Sequence, residues 1–166
     1  MTILKYSFSL TPPAPPPALK HEYSYSEFLL DLAAKWRQIP ADEDNTLNFQ
    51  SDDDGAALIV SCEFLEIPDD KAQLFAEKII SSGTNAIQAA CNGAAQVLQQ
   101  SIKPHSSGTG LEVSYIAETD NDHVYLYLGY VTSRKVLNFS MVCQPGRQAA
   151  AALFNATVPG FRPVLP

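Results

Sequence analysis

The 166-residue chain is short of charge: Asp, Glu, Lys and Arg make up only 17% of it, against about 25% in an average soluble protein. Such a surface leaves apolar area over for a partner. Positive charge is the scarcer sign. Eleven Lys and Arg stand against eighteen Asp and Glu, a formal net charge of −7, and the cations are scattered instead of forming a basic stripe. A phosphate backbone would be repelled, so nucleic acid is excluded as a partner. Long apolar runs are missing as well. None approaches the roughly 18 to 20 residues that cross a bilayer, and the run at residues 56–60 is only a strand's length. A soluble protein without membrane insertion is expected. The opening MTILKYSFSL alternates polar and apolar residues and lacks the apolar core and small-residue cleavage site of a signal peptide. Cysteine agrees with a cytoplasmic location: Cys62, Cys91 and Cys143 are odd in number and show no C-x-x-C spacing, as buried free thiols in a reducing compartment would.

Catalytic and cofactor motifs are equally scarce. There is no G-x-S-x-G turn, and Cys62 and Cys143 fall on the core side of their strands, so no activated nucleophile is presented. His21, His105 and His123 stand apart from one another and from cysteine, without the spacing of a zinc site. The loop with Ser106, Ser107, Gly108 and Gly110 precedes a strand, whereas a phosphate cradle opens a helix. Asp42, Glu43, Asp44, Asp52, Asp53 and Asp54 crowd thirteen positions, but counting from Asp42 or Asp52 gives neither a ligand at position five nor a Gly at position six. That fails the calcium-loop template and leaves solvated turns, with docking of a basic partner as a minor role. No enzyme, metal or cofactor is expected.

What is present is alternation. TPPAPPPA at residues 11–18 is a stiff, polyproline-like connector that separates residues 1–10, an edge strand or tail, from one domain at residues 21–166. Phe28, Leu29, Leu32, Ala33, Trp36 and Ile39 recur at helical steps after Ser26 as N-cap, which predicts a helix ending before Pro40 with Trp36 as its core anchor. An extended FLLDL entering a turn is the rival reading. TLNFQS and AALIVSCEFLE, joined by DDDG, predict an antiparallel hairpin. Residues 67–104 read as one long helix, opened by Pro68 and Asp69 and divided or kinked at Gly83 and Gly93. Three strands, near 111–118, 123–132 and 135–143, and a final helix in GRQAAAALFNATV complete the chain. The fold class is α+β, a mainly antiparallel sheet of about five to six strands with helices packed on it.

With Ser133 and Arg134 as the last hairpin turn, paired residue numbers sum to a constant and the sheet faces can be written out. Val124, Leu126, Leu128 and Tyr130 share the core face with Leu137, Phe139, Met141 and Cys143. Leu47, Phe49, Leu58, Val60 and Cys62 join them. The other face mixes aromatic, small and hydrogen-bonding groups, and Tyr125, Tyr127, Asn138, Ser140, Ser61 and Asn48 are its candidate partner-binding residues.

FLLDLAAKWRQIP, TLNFQS with GAALIVSCE, IPDDKAQLFAEKI, VYLYLGYVTSRKVLNFSMV and GRQAAAALFNATVPGFRP together resemble the PsbP/DcrB-like families, whose fold is shared with a Ran-binding import factor. Ala33 and Ala34 stand where such families place a proline. The resemblance implies an α/β/α sandwich. Its cytoplasmic, signal-free branch of type VI secretion effector chaperones implies a non-enzymatic, homodimeric adaptor that shields apolar effector helices on a sheet face. The alternative function is a small-molecule or lipid-binding domain, in which the mixed face and the long helix enclose an apolar pocket.

Overall fold

A computed structural model describes residues 20–24, 27–91, 94–120, 123–144 and 146–164; the residue 1–19 segment with its prolines, the Ser26 cap and Gly93 lie outside the described residues. In chain order the strands are β1 (Lys20–Ser24), β2 (Phe28–Ala33), β3 (Arg37–Ile39), β4 (Thr46–Ser51), β5 (Ala56–Phe64), β6 (Ala95–Pro104), β7 (Leu111–Thr119), β8 (Val124–Val131), β9 (Lys135–Cys143) and β10 (Phe161–Pro163). Helix α1 (Ala72–Ala90) lies between β5 and β6, and α2 (Arg147–Thr157) follows β9.

The strands make an antiparallel seven-stranded sheet in the order β3-β4-β5-β9-β8-β7-β6 and a small sheet in the order β1-β2-β10. The architecture is the α+β arrangement expected, but the large sheet has more strands than the sequence reading assigned. Two helix assignments explain the difference. Residues 28–39 are not a helix: Phe28, Leu30 and Leu32 alternate inward along β2, a turn closes with Trp36 N–H donating to the Ala33 carbonyl at 3.0 Å, and β3 follows. The extended rival was the physical one, because β2 gains ladder hydrogen bonds from β1 on one side and β10 on the other. Trp36 is a core residue in either case.

The second correction concerns residues 67–104. A 3-10 turn at Asp69–Lys71 leads into α1, which ends at Ala90, and AQVLQQSIKP becomes the edge strand β6. Its Ala, Gln and Leu favour helix intrinsically, so pairing with β7 overrides local propensity. A register shift between Val97 and Gln99 bulges this edge, and Lys103 and Pro104 finish it. Such features blunt an edge against further pairing.

The hairpins follow the sequence closely. Val124 pairs with Cys143 and Val131 with Val136, which places Ser133 and Arg134 in the turn. Gly55 closes the DDDG turn with φ at 57°, a left-handed value that glycine adopts freely. On the inner face of the large sheet, Leu58, Val60, Leu126, Leu137, Phe139 and Met141 pack against the small sheet and α2. Phe161 of β10 plugs that layer, its ring centroid 5.5 Å from Phe28 and 5.3 Å from Phe139. Lys135 is almost buried and binds both the Glu27 carboxylate and, at 2.6 Å, the Val164 carbonyl, tying the small sheet to the start of β9. The outer face carries α1. The three Ala76, Ile80 and Ile87 side chains press on Val113, Tyr115 and Ala117 of β7.

Candidate interaction face

The outer face of the large sheet can be read row by row from the register. One row runs Ile39, Asn48, Ile59, Ser140, Tyr127, Tyr115, and the next runs Thr46, Ser61, Asn138, Gly129, Val113. The Tyr115 ends of these rows lie beneath α1, and the Ile39 ends have no described element over them. The open half spans β3, β4, β5 and β9. Apart from Arg37 and Glu63 at its margins, it carries no charged side chain.

The six candidate residues divide along this boundary. Tyr127 is only 6% exposed and belongs to the packing under α1. Its ring stacks on Tyr115 at 4.9 Å with planes 12° apart. Two glycines make the space: a Cβ on Gly83 of α1 would stand 2.4 Å from the Tyr115 hydroxyl oxygen, and one on Gly129 would stand 2.3 Å from that of Tyr127. Tyr125 is half-buried at the boundary, packed with the same cluster. Asn138, Ser140, Ser61 and Asn48 are half-buried on the open half. The structure thus brings four of the six together on one surface and places Tyr127 behind it as support.

A polar relay joins the two halves. The Tyr127 hydroxyl donates to Asn138 Oδ1 at 2.5 Å, which turns the Asn138 amide so that Nδ2 donates to Ser61 Oγ at 3.2 Å and Glu63 Oε1 at 3.3 Å. Burial pushes the Tyr127 hydroxyl far above its ordinary pKa, with Tyr115 and Glu63 adding to the effect, so it remains protonated and serves as a fixed donor. Farther out, Asn48 Nδ2 donates to the Pro40 carbonyl at 3.4 Å, while its shielded Oδ1 has no hydrogen-bond partner among the described residues. An acceptor left in that state gains from any donor a partner supplies.

Ile59 is the exposed residue of this face that alternation alone did not single out. It is 47% exposed at the middle of the first row, between Asn48 and Ser140, on a strand paired on both sides. The alternation that sends Leu58 and Val60 inward places it on this face and no more. Beside it a shallow recess of about 340 Å³ is bordered by Gln50, Ala57, Val142 and His123. Of the acidic residues, Asp52 also lines this recess and reaches Arg37 at 3.4 Å, and Asp54 reaches Lys35 at 2.8 Å. Burial alone would raise the Asp54 pKa, but the bonds from Lys35 and Ser51 outweigh it and hold the carboxyl below its ordinary range. No group of three His, Cys, Asp or Glu side chains converges among the described residues. Cys143 is pushed up to about 11 by burial, with Asp54 adding, and Cys62 is raised by burial first, which disfavours the thiolate of both.

No protein-family model and no curated protein sequence matches the chain. A solved structure does: the solution structure of cyanobacterial PsbP (CyanoP) from Synechocystis sp. PCC 6803 superposes with a TM-score of 0.66 over 94% of this chain and 98% of that one. The fold is PsbP-like. At 14% sequence identity the likeness is one of fold alone, and the PsbP-like scaffold carries no activity across with it. No helix among the described residues is long and apolar enough to cross a membrane.

Proposed function

We propose that this PsbP-like chain is a non-enzymatic, protein-binding adaptor that docks apolar segments of a partner on the open half of its large sheet. The observation that carries the reading is Ile59, a large apolar side chain exposed at the centre of a sheet face with almost no charge. Around it Ser61, Asn138, Ser140 and Asn48 supply adaptable hydrogen bonds, the usual composition of an apolar contact with a polar surround. The relay from Tyr127 presets the Asn138 amide, so less ordering is needed on association. The finer reading, a cytoplasmic, homodimeric chaperone for a type VI secretion effector, rests on the family resemblance of the sequence motifs and on the same face.

A ligand pocket between α1 and the sheet would need space that the stacked Tyr115 and Tyr127 rings occupy, which disfavours the lipid-binding alternative. The deciding experiment is affinity capture from native lysate with the wild-type chain and the Ile59→Asp variant side by side. A partner recovered reproducibly by the first and lost by the second supports the proposal. Recovery of the same proteins by both, or of none by either, overturns it.

A further inference from the structure

A second surface stands out by charge. Among the described side chains, Lys35, Arg37, Lys103, Lys135, Arg147 and Arg162 each form an ion pair with a carboxylate. The described cations without one are Lys71, Lys78 and Arg134. In a chain of net charge −7, two of these three lie together. Lys71 and Lys78 line one groove of about 250 Å³ between the residue 65–68 loop and the first two turns of α1. Arg134 is not in its lining; only its backbone carbonyl reaches the residue 65–68 loop, accepting the Leu65 N–H at 3.0 Å.

The groove floor is apolar. Leu65, Ile67, Leu74 and Phe75 line it, and Leu74 is left 54% exposed on the helix surface, where solvation gives an isolated leucine nothing. Lys71 and Lys78 sit two helical turns apart, about 10 Å along the axis, one at each end of the Leu74 and Phe75 stripe. Glu66 is the one carboxylate in the lining, and Asp69 and Asp70 precede Lys71 in the chain. We infer that this groove docks an apolar segment of a partner protein whose leucine-like side chains are flanked by carboxylates. The apolar groups would cover Leu74 and Phe75, and the carboxylates would meet Lys71 and Lys78. Such rim pairs set partner choice and approach rate more than they set affinity. The groove shares no lining residue with the open sheet face, so the inference stands apart from the function proposed above.

The test uses the full chain and a fluorescent, capped synthetic peptide with leucines at helical spacing flanked by glutamates, read by anisotropy. A second peptide carries lysines in place of the glutamates. The expected result is binding of the acidic peptide alone, weakening by roughly tenfold in the Lys71→Glu/Lys78→Glu double variant, which should instead take the basic peptide. Leu74→Asn should weaken the acidic peptide without restoring the basic one. All three positions are exposed, so folding is unaffected, and amide shifts should cluster at residues 65–78. Equal binding of both peptides, no change in the double variant, or displacement of the peptide by decanoate at equal concentration would overturn the inference. The last outcome would assign the groove to fatty anions.

Discussion

Strands β7 and β8 bury most of their outer face beneath α1, with β6 only half-buried at the edge, whereas β3, β4, β5 and β9 beyond the buried Val136 leave theirs uncovered among the described residues. Geometry makes some opening unavoidable. Seven strands about 4.8 Å apart form a sheet some 30 Å wide, and one helix about 10 Å across covers only two or three of them. The inner face solves the problem with α2 and a second small sheet. On the outer face the composition follows the cover: Val113, Tyr115, Ala117 and Tyr127 lie under α1, while Asn48, Ser61, Asn138 and Ser140 lie beyond it. Ile39, Ala57, Val142 and, as the most exposed of them, Ile59 depart from that correlation, and Ile59 is the reason to regard the open half as a binding surface.

The comparison can be broken most severely at the helix. Gly83→Ala drives a methyl into the stacked Tyr115, an overpacking cost of about 1–3 kcal/mol that the better helix propensity of alanine offsets only in part. Urea denaturation should show the loss. Tyr115→Phe should recover some of it and not all, because a ring carbon would still lie 2.9 Å from the new methyl. Tyr127→Phe tests the relay between the halves: losing the donation to Asn138 should cost about 1 kcal/mol, seen as a Tm roughly 2–4 °C lower. On the open half, Ile59→Thr should change stability by no more than about 0.5 kcal/mol, since an exposed β-branched residue replaces another. A loss near 2 kcal/mol would mean that the face is covered and the comparison mistaken.

The smallest effect is expected at the hairpin turn beside the open half. The lowered Asp54 pKa stabilises the fold above the ordinary carboxylate range, and the contribution disappears as pH falls through the lowered value. For a partly exposed pair with Lys35 this amounts to no more than about 1 kcal/mol. Wild type should therefore exceed Asp54→Asn in stability at neutral pH and converge with it as the pH falls below the ordinary carboxylate range, as followed by thermal melts.

How much of this was legible depended on whether local and long-range forces agreed. The β8–β9 register, the DDDG turn and α2 were readable because turn residues and periodicity pointed the same way. Residues 28–33 satisfy both a helical and a strand pattern, and only their pairing with β1 and β10, distant in sequence, decides between them. Residues 95–104 look helical until β7 is beside them. The mixed face was likewise legible as a face, but alternation alone cannot locate the landing of α1. For that reason Tyr127 reads the same as Ser140 in the sequence and differs from it in the fold.

The pairing of β5 with β9 has a kinetic consequence. Each hairpin of the sheet closes a short loop, but Asn138 and Ser61 are 77 residues apart, and their strands can zip only after the chain between them has been gathered. This ladder should therefore form late, with mutations along it acting mainly on unfolding rates. The open face straddles that seam. It does not exist on any partly folded chain, so a partner recognising it reads completed folding and nothing earlier.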